Sequence, residues 1–175
     1  TKPVAWFHTA SLGEFEQGKP VMEAYRAQFP THFILLTFFS PSGYEVRKNT
    51  SGVDYVSYLP LDGARSSVRF LNLVKPSVAI FVKYEFWYFY LQGLRQREIP
   101  TILISAIFRP NQVFFTWYGG FFRSLLQCFT QIFVQDDHSK LAGSTGRLSQ
   151  TADTWCSRPA IGIRHGIGSS GRIFS

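Results

Sequence analysis

Val4-Ala5-Trp6-Phe7-His8-Thr9-Ala10-Ser11-Leu12-Gly13-Glu14 reads as a strand, a short polar loop and the start of a helix. Val4–Phe7 is an apolar run of strand type. The helix that follows places Phe15, Gly18, Val21, Met22, Tyr25 and Phe29 near one face. A glycine-containing loop between a strand and a helix N-terminus is where open α/β sheets build their sites. Glu14 falls at the first helical turn, where unpaired backbone N–H groups and the helix dipole favour a carboxylate. A carboxylate kept ionised at a crevice can take a proton from a substrate hydroxyl. Acidic residues in first turns also serve simply as caps. Cap and general base therefore both stand as readings of Glu14.

Outward from this stretch, strand and helix signals alternate as far as residue 137. Strands are expected at Val4–His8, Phe33–Phe38, Tyr55–Tyr58, Val78–Val82, Thr101–Ile104 and Ile132–Val134. Helices are expected at Glu14–Gln28, from Ser40-Pro41-Ser42-Gly43 through Lys48, after Asp62 as a cap, at Phe86–Arg97 and at Gly119–Phe129. Val68, Leu71 and Val74 are expected on the inner face of the helix that Asp62 opens. Continuous apolar strands separated by helices argue for a parallel sheet covered on both faces. The fold class is a doubly wound α/β domain.

Composition narrows the function. Hydrophobic residues make up 45% of 175, and 18 of them are Phe, so much ring surface must be buried or face something apolar. The net charge of +7 points to anionic partners. The basic residues are scattered, with no recognition helix, zinc finger or RNA-binding aromatic motif, which disfavours nucleic acid. Cys128 and Cys156 form neither a disulfide framework nor a metal-ligand spacing, in keeping with a reducing compartment. No stretch approaches the ~18 consecutive apolar residues of a membrane span. The longest, Val78–Leu91, contains Lys83 and Glu85. No signal peptide precedes the first strand, and a chain starting at Thr1 is expected to lack upstream residues.

Neither G-x-G-x-x-G nor G-x-x-x-x-G-K-[ST] occurs, and Ser11 is not in a G-x-S-x-G elbow. His8, at a strand's C-terminal end, is open to a chemical or a structural reading. Four other strand ends or loops carry polar groups. Ser11 and Gly13 accompany Glu14. Ser40, Ser42 and Gly43 offer hydroxyls and N–H groups at a helix start. Lys83 and Glu85 follow a buried strand, either as an anion-binding and orienting pair or as a local ion pair. Arg109 follows the next strand, where a guanidinium suits carboxylate or phosphate. Together these loops describe a rim for an anionic, hydroxyl-bearing substrate. The run Phe114–Arg123 fits either core or a membrane interface.

These residues resemble the N-terminal half of the bacterial lipid A 3-deoxy-D-manno-octulosonic acid (Kdo) transferases. The resemblance is carried by W-F-H-T-A-S-L-G-E-F-E-Q-G-K-P, L-L-T-F-F-S-P-S-G-Y-E-V-R-K-N, Y-L-P-L-D, F-V-K-Y-E-F-W, I-S-A-I-F-R-P-N-Q and W-Y-G-G-F-F-R, in order over most of residues 3–137. It implies the Rossmann-like, acceptor-binding half of a two-domain GT-B glycosyltransferase. The implied reaction is inverting and metal-independent, needs no cofactor, and moves Kdo from CMP-Kdo to a lipid A precursor. Glu14 would be the general base, with Lys83, Glu85 and Arg109 lining the cleft. The implied setting is the membrane surface at the cytoplasmic face of the inner membrane. The family's membrane anchor would precede Thr1, and its CMP-binding domain would follow this chain. Residues 138–175, rich in Ser, Gly and Arg, lose the family pattern; a disordered or frameshifted tail is expected there.

Overall fold

The computed structural model describes residues 2–83, 86–106 and 124–134. Its elements are β1 (Val4–Thr9), α1 (Leu12–Gln28), β2 (Phe33–Phe38), α2 (Pro41–Arg47), β3 (Tyr55–Tyr58), α3 (Ala64–Val74), β4 (Val78–Val82), α4 (Tyr88–Gln96), β5 (Thr101–Ala106) and β6 (Gln131–Val134). The strands form one parallel sheet in the order β3-β2-β1-β4-β5-β6. Neighbouring strands must therefore be joined by crossovers, and the helices of those crossovers cover both faces.

Alternation along the strands divides the core in two. Ala5, Phe7, Ile34, Leu36, Ile80, Val82, Ile102 and Ile104 pack on one face with Phe15, Met22 and Tyr25 of α1. Trp6, Leu35, Ala79, Phe81 and Leu103 pack on the other with Phe70 and Leu71 of α3 and Tyr90, Leu91 and Leu94 of α4. Trp6 is the centre of this second layer, with Phe70, Phe81 and Tyr90 at ring-centroid distances of 4.9, 5.2 and 5.7 Å. Much of the heavy aromatic content is spent in these two layers. The predicted doubly wound fold is the observed one.

Two local expectations are corrected. The N-cap of α3 is Gly63, not Asp62. Asp62 instead accepts the N–H groups of Phe89 (3.1 Å) and Tyr90 (3.3 Å), so it caps α4 across the sheet edge. The inner face of α3 carries Ser67, Phe70 and Leu71, while Val68 is exposed. Leu71 and Val74 face the core as expected, and Phe70, packed against Trp6, and Ser67 take the place expected of Val68. The expected helix at Gly119–Phe129 is described only from Ser124, where 124–126 are helical.

At the N-terminal edge of the sheet Arg26 ties three segments together. Its guanidinium donates to the carbonyls of Gly52 (3.1 Å), Pro30 (3.3 Å) and His32 (2.8 Å) and pairs with Asp54. Asp54 also accepts the Ile34 N–H at 2.7 Å. Burial pushes the Asp54 carboxyl up, but the Ile34 N–H and Arg26 outweigh it and leave it below its ordinary value. A depressed folded-state value means stabilisation that is present above the unfolded carboxylate pKa of about 3.9 and lost as pH falls through the folded value. Asp54→Asn is expected to lower Tm at neutral pH, with wild type and variant converging in the acid range. A difference in Tm that stays constant with pH would count against this account.

Candidate active site at the sheet's switch point

The chain leaves β1 through α1 towards β2 and returns from β3 through α3 to β4, on the other side of β1. The C-terminal ends of β1 and β4 are therefore the topological switch point, where the flanking loops diverge and leave a crevice. Thr9, Ala10 and Ser11 lie at one side of it and Val82 and Lys83 at the other.

Ser11 is the N-cap of α1, with extended backbone (φ −136°, ψ 170°). Glu14, at the third helical position, turns back over the loop. Its Oε2 accepts the N–H groups of Ala10 at 2.6 Å and Ser11 at 3.2 Å. The bonds that satisfy the helix start also hold the carboxylate oxygen at the switch point. Gly13 is exposed, and a Cβ added to it would meet nothing within 4 Å among the described residues. The space in front of the helix start is open.

The β2–α2 loop joins the same edge. Ser40, the N-cap of α2, donates its N–H to the carbonyl of Ala10 at 2.7 Å, and its hydroxyl lies 2.8 Å from that of Ser42. Gly43 is buried. A Cβ there would sit 2.4 Å from the Phe38 ring and 3.2 Å from the Leu12 nitrogen, so packing of α2 onto β2 accounts for it. Gly18 plays the same part in α1, with Val82 Cγ2 2.8 Å from where its Cβ would be. Lys83 is half-buried in left-handed backbone (φ 64°) and makes no ion pair among the described residues. Glu85, Arg109 and Phe114–Arg123 lie outside the described residues.

His8 is fully buried beneath this edge. Its Nδ1 is 2.9 Å from Thr37 Oγ1, which also accepts the Trp6 indole N–H at 2.8 Å. The Trp87 ring stands edge-on to His8 at 5.4 Å and to Phe39 at 4.9 Å. The structural reading of His8 fits this burial. Thr37→Val would leave the Trp6 donor and the His8 nitrogen without this shared partner, at a cost of about 1–3 kcal/mol. The expected result is a lower urea midpoint with an unchanged m-value; an unchanged midpoint would show the network to be dispensable.

A family model described as 3-deoxy-D-manno-octulosonic-acid transferase (kdotransferase) matches residues 1–147. The chain belongs to the Kdo transferase family. It is 39% identical over 106 residues to the 3-deoxy-D-manno-octulosonic acid transferase of Aquifex aeolicus, covering 60% of this chain and 28% of that protein. With the Haemophilus influenzae enzyme of the same name it shares 34% over 102 residues, covering 58% and 24%. The chain thus spans about a quarter of the length of these curated relatives. Among solved structures, the UDP-N-acetylglucosamine 2-epimerase of Rickettsia bellii superposes with a TM-score of 0.57 at 12% identity, over 85% of this chain and 43% of that one. That likeness is one of fold, the Rossmann-like half of a GT-B arrangement.

Family motifs drew attention to the charged loops but not to everything at this edge. Thr37, Trp87 and Ser105 were not singled out, and Asp62 was read only as the cap of the helix after it. Thr37 did leave a signal, as the one polar residue in the apolar run Phe33–Phe38. Asp62 left none for its actual role, because its partners are 27 and 28 residues away. Around it, Phe39, Leu61, Tyr88 and Phe89 are exposed and give the edge an apolar border. No described helix is long and apolar enough to cross a membrane.

Proposed function

We propose that this chain is the acceptor-side half of an inverting Kdo transferase, with Glu14 as general base. The observation that carries the reading is the Glu14 carboxylate, held by the Ala10 and Ser11 N–H groups at the switch point. In the reaction, Glu14 takes the proton of an acceptor hydroxyl. The hydroxyl oxygen forms a bond to the anomeric carbon of Kdo, and the bond from that carbon to the CMP phosphate breaks, CMP leaving with the electron pair. Attack opposite the leaving group inverts the anomeric centre. Neither metal nor cofactor is assigned a role.

The acceptor is a lipid A precursor, whose phosphates suit Lys83 and the other basic residues. Its acyl chains and the bilayer surface suit the apolar border of Phe39, Leu61, Tyr88 and Phe89. The setting that goes with this reading is the cytoplasmic face of the inner membrane. CMP-Kdo would be held chiefly by a second domain, so residues 1–175 by themselves are expected not to turn over. The test is CMP release from CMP-Kdo and lipid A precursor by this chain alone and by residues 1–137 joined to the C-terminal part of the Aquifex aeolicus relative. Release by the joined enzyme alone is the expected result. Release by neither, with both folded, would overturn the assignment. The exposed border also favours a second reading, a non-catalytic lipid-binding domain; that reading requires vesicle binding without any transfer.

A further inference from the structure

Ser105 is one of four non-glycine residues with positive φ among the described residues, and it lies inside a strand. Its φ is 57°, and the pairing of β5 with β6 shifts register between Leu103 and Ala106 around it. Left-handed backbone crowds any residue with a Cβ, and a bulge beside a site commonly re-aims one side chain. The position directly across from it is also left-handed. Val82 pairs with Ile104, and the Lys83 N–H continues the ladder to the Ile104 carbonyl at 2.8 Å, so Lys83 stands opposite Ser105. Two opposed left-handed residues on adjacent strands, each half-buried, mark the same level of the C-terminal edge.

The register shows which level this is. His8 and Phe81 are the last paired residues of β1 and β4, and beyond them the chain passes to Ala10 on one side of the crevice and Lys83 on the other. Ala10 is the residue whose N–H holds Glu14 and whose carbonyl holds Ser40. Lys83 and Ser105 thus face each other just beyond Val82 and Ile104, on the opposite side of the crevice from Ala10, whose N–H holds Glu14. Backbones of neighbouring strands are ~4.8 Å apart, a spacing at which an ammonium and a hydroxyl can hold one oxyanion between them. Strain of this kind at a crevice points from structure to function.

We propose that Ser105 is a substrate-binding residue that acts with Lys83 as one oxyanion-binding unit beside Glu14. It rests on the Kdo transferase reading only for the source of the anion, a phosphate of the acceptor or the carboxylate of the sugar. The test titrates the 175-residue chain with inorganic phosphate and, separately, acetate at constant ionic strength, following Tm and backbone NMR shifts. Wild type is expected to bind one of them. Ser105→Gly keeps a residue that accepts left-handed backbone, so it retains the fold while losing the hydroxyl. It is expected to weaken binding about fivefold to tenfold, and Lys83→Met to abolish it. Preference for phosphate assigns the unit to the acceptor, and preference for acetate to the sugar carboxylate. Binding of neither anion, or binding by Ser105→Gly equal to wild type, overturns the proposal and leaves Ser105 as the pivot of a bulge. Anion binding is read without transfer, so a chain that binds through Ser105 but whose completed enzyme never transfers Kdo would overturn only the assigned function.

Discussion

Glu14→Gln in the completed enzyme is expected to cut Kdo transfer by about 10²- to 10⁴-fold, the usual worth of a positioned general base. The amide oxygen of Gln can still accept the Ala10 and Ser11 N–H groups that now reach Glu14 Oε2 at 2.6 and 3.2 Å. The fold should therefore lose little, within the ~1 kcal/mol typical of a cap. The two roles of Glu14 separate in this one variant. Steady-state rates with CMP-Kdo and lipid A precursor, set beside Tm, read both. A normal rate would reduce Glu14 to a cap, whereas a collapse of Tm along with the rate would show that the cap is the whole effect.

The two glycines at this edge are expected to respond in opposite ways. Gly43→Ala puts a Cβ 2.4 Å from a buried Phe38 ring carbon and 3.2 Å from the Leu12 nitrogen. The ring is fully buried against Phe15 of α1, so the helix must move, at a cost of about 1–3 kcal/mol for overpacking. Gly13→Ala meets no atom of the described residues within 4 Å, and alanine suits a helical position better by up to ~1 kcal/mol. Its Tm should hold or rise. The added methyl would stand in the open space before the helix start, where the acceptor is proposed to approach, so transfer should fall by tenfold or more, on the order of 1.4 kcal/mol in the barrier. Chemical denaturation and transfer rates on the two variants check the contrast. An active Gly13→Ala enzyme would remove the acceptor from that space.

Much of the fold was legible in the residues because a parallel sheet buried on both faces writes itself as apolar runs. Phe33–Phe38, Tyr55–Tyr58 and Val78–Val82 were read with the bounds they have. The α1 start was legible for the same local reason, since Ser11 and Glu14 are three residues apart and cap the same turn. Asp62 was misread because the local rule, an acid before a helix, competes with a partner that only the fold brings near. Val68 was misplaced because it lies at the margin of the face that Leu71 and Val74 share, and Phe70, packed on Trp6 of another element, fills the core there instead.

By itself, the sequence determined the strand–helix alternation, the capping carboxylate at Glu14 and the family motifs, because each depends on residues a few positions apart. Only the tertiary structure decided that the loops after β1 and β4 meet at a switch point. The same holds for Gly43 as a packing residue and Gly13 as an open one, for Thr37 as the joint between Trp6 and His8, and for Lys83 opposite Ser105. Most of these depend on strand order and register, which bring together residues from 22 to 73 positions apart. The strand that begins at Val4 could announce a site, but its neighbours across the sheet define what that site holds.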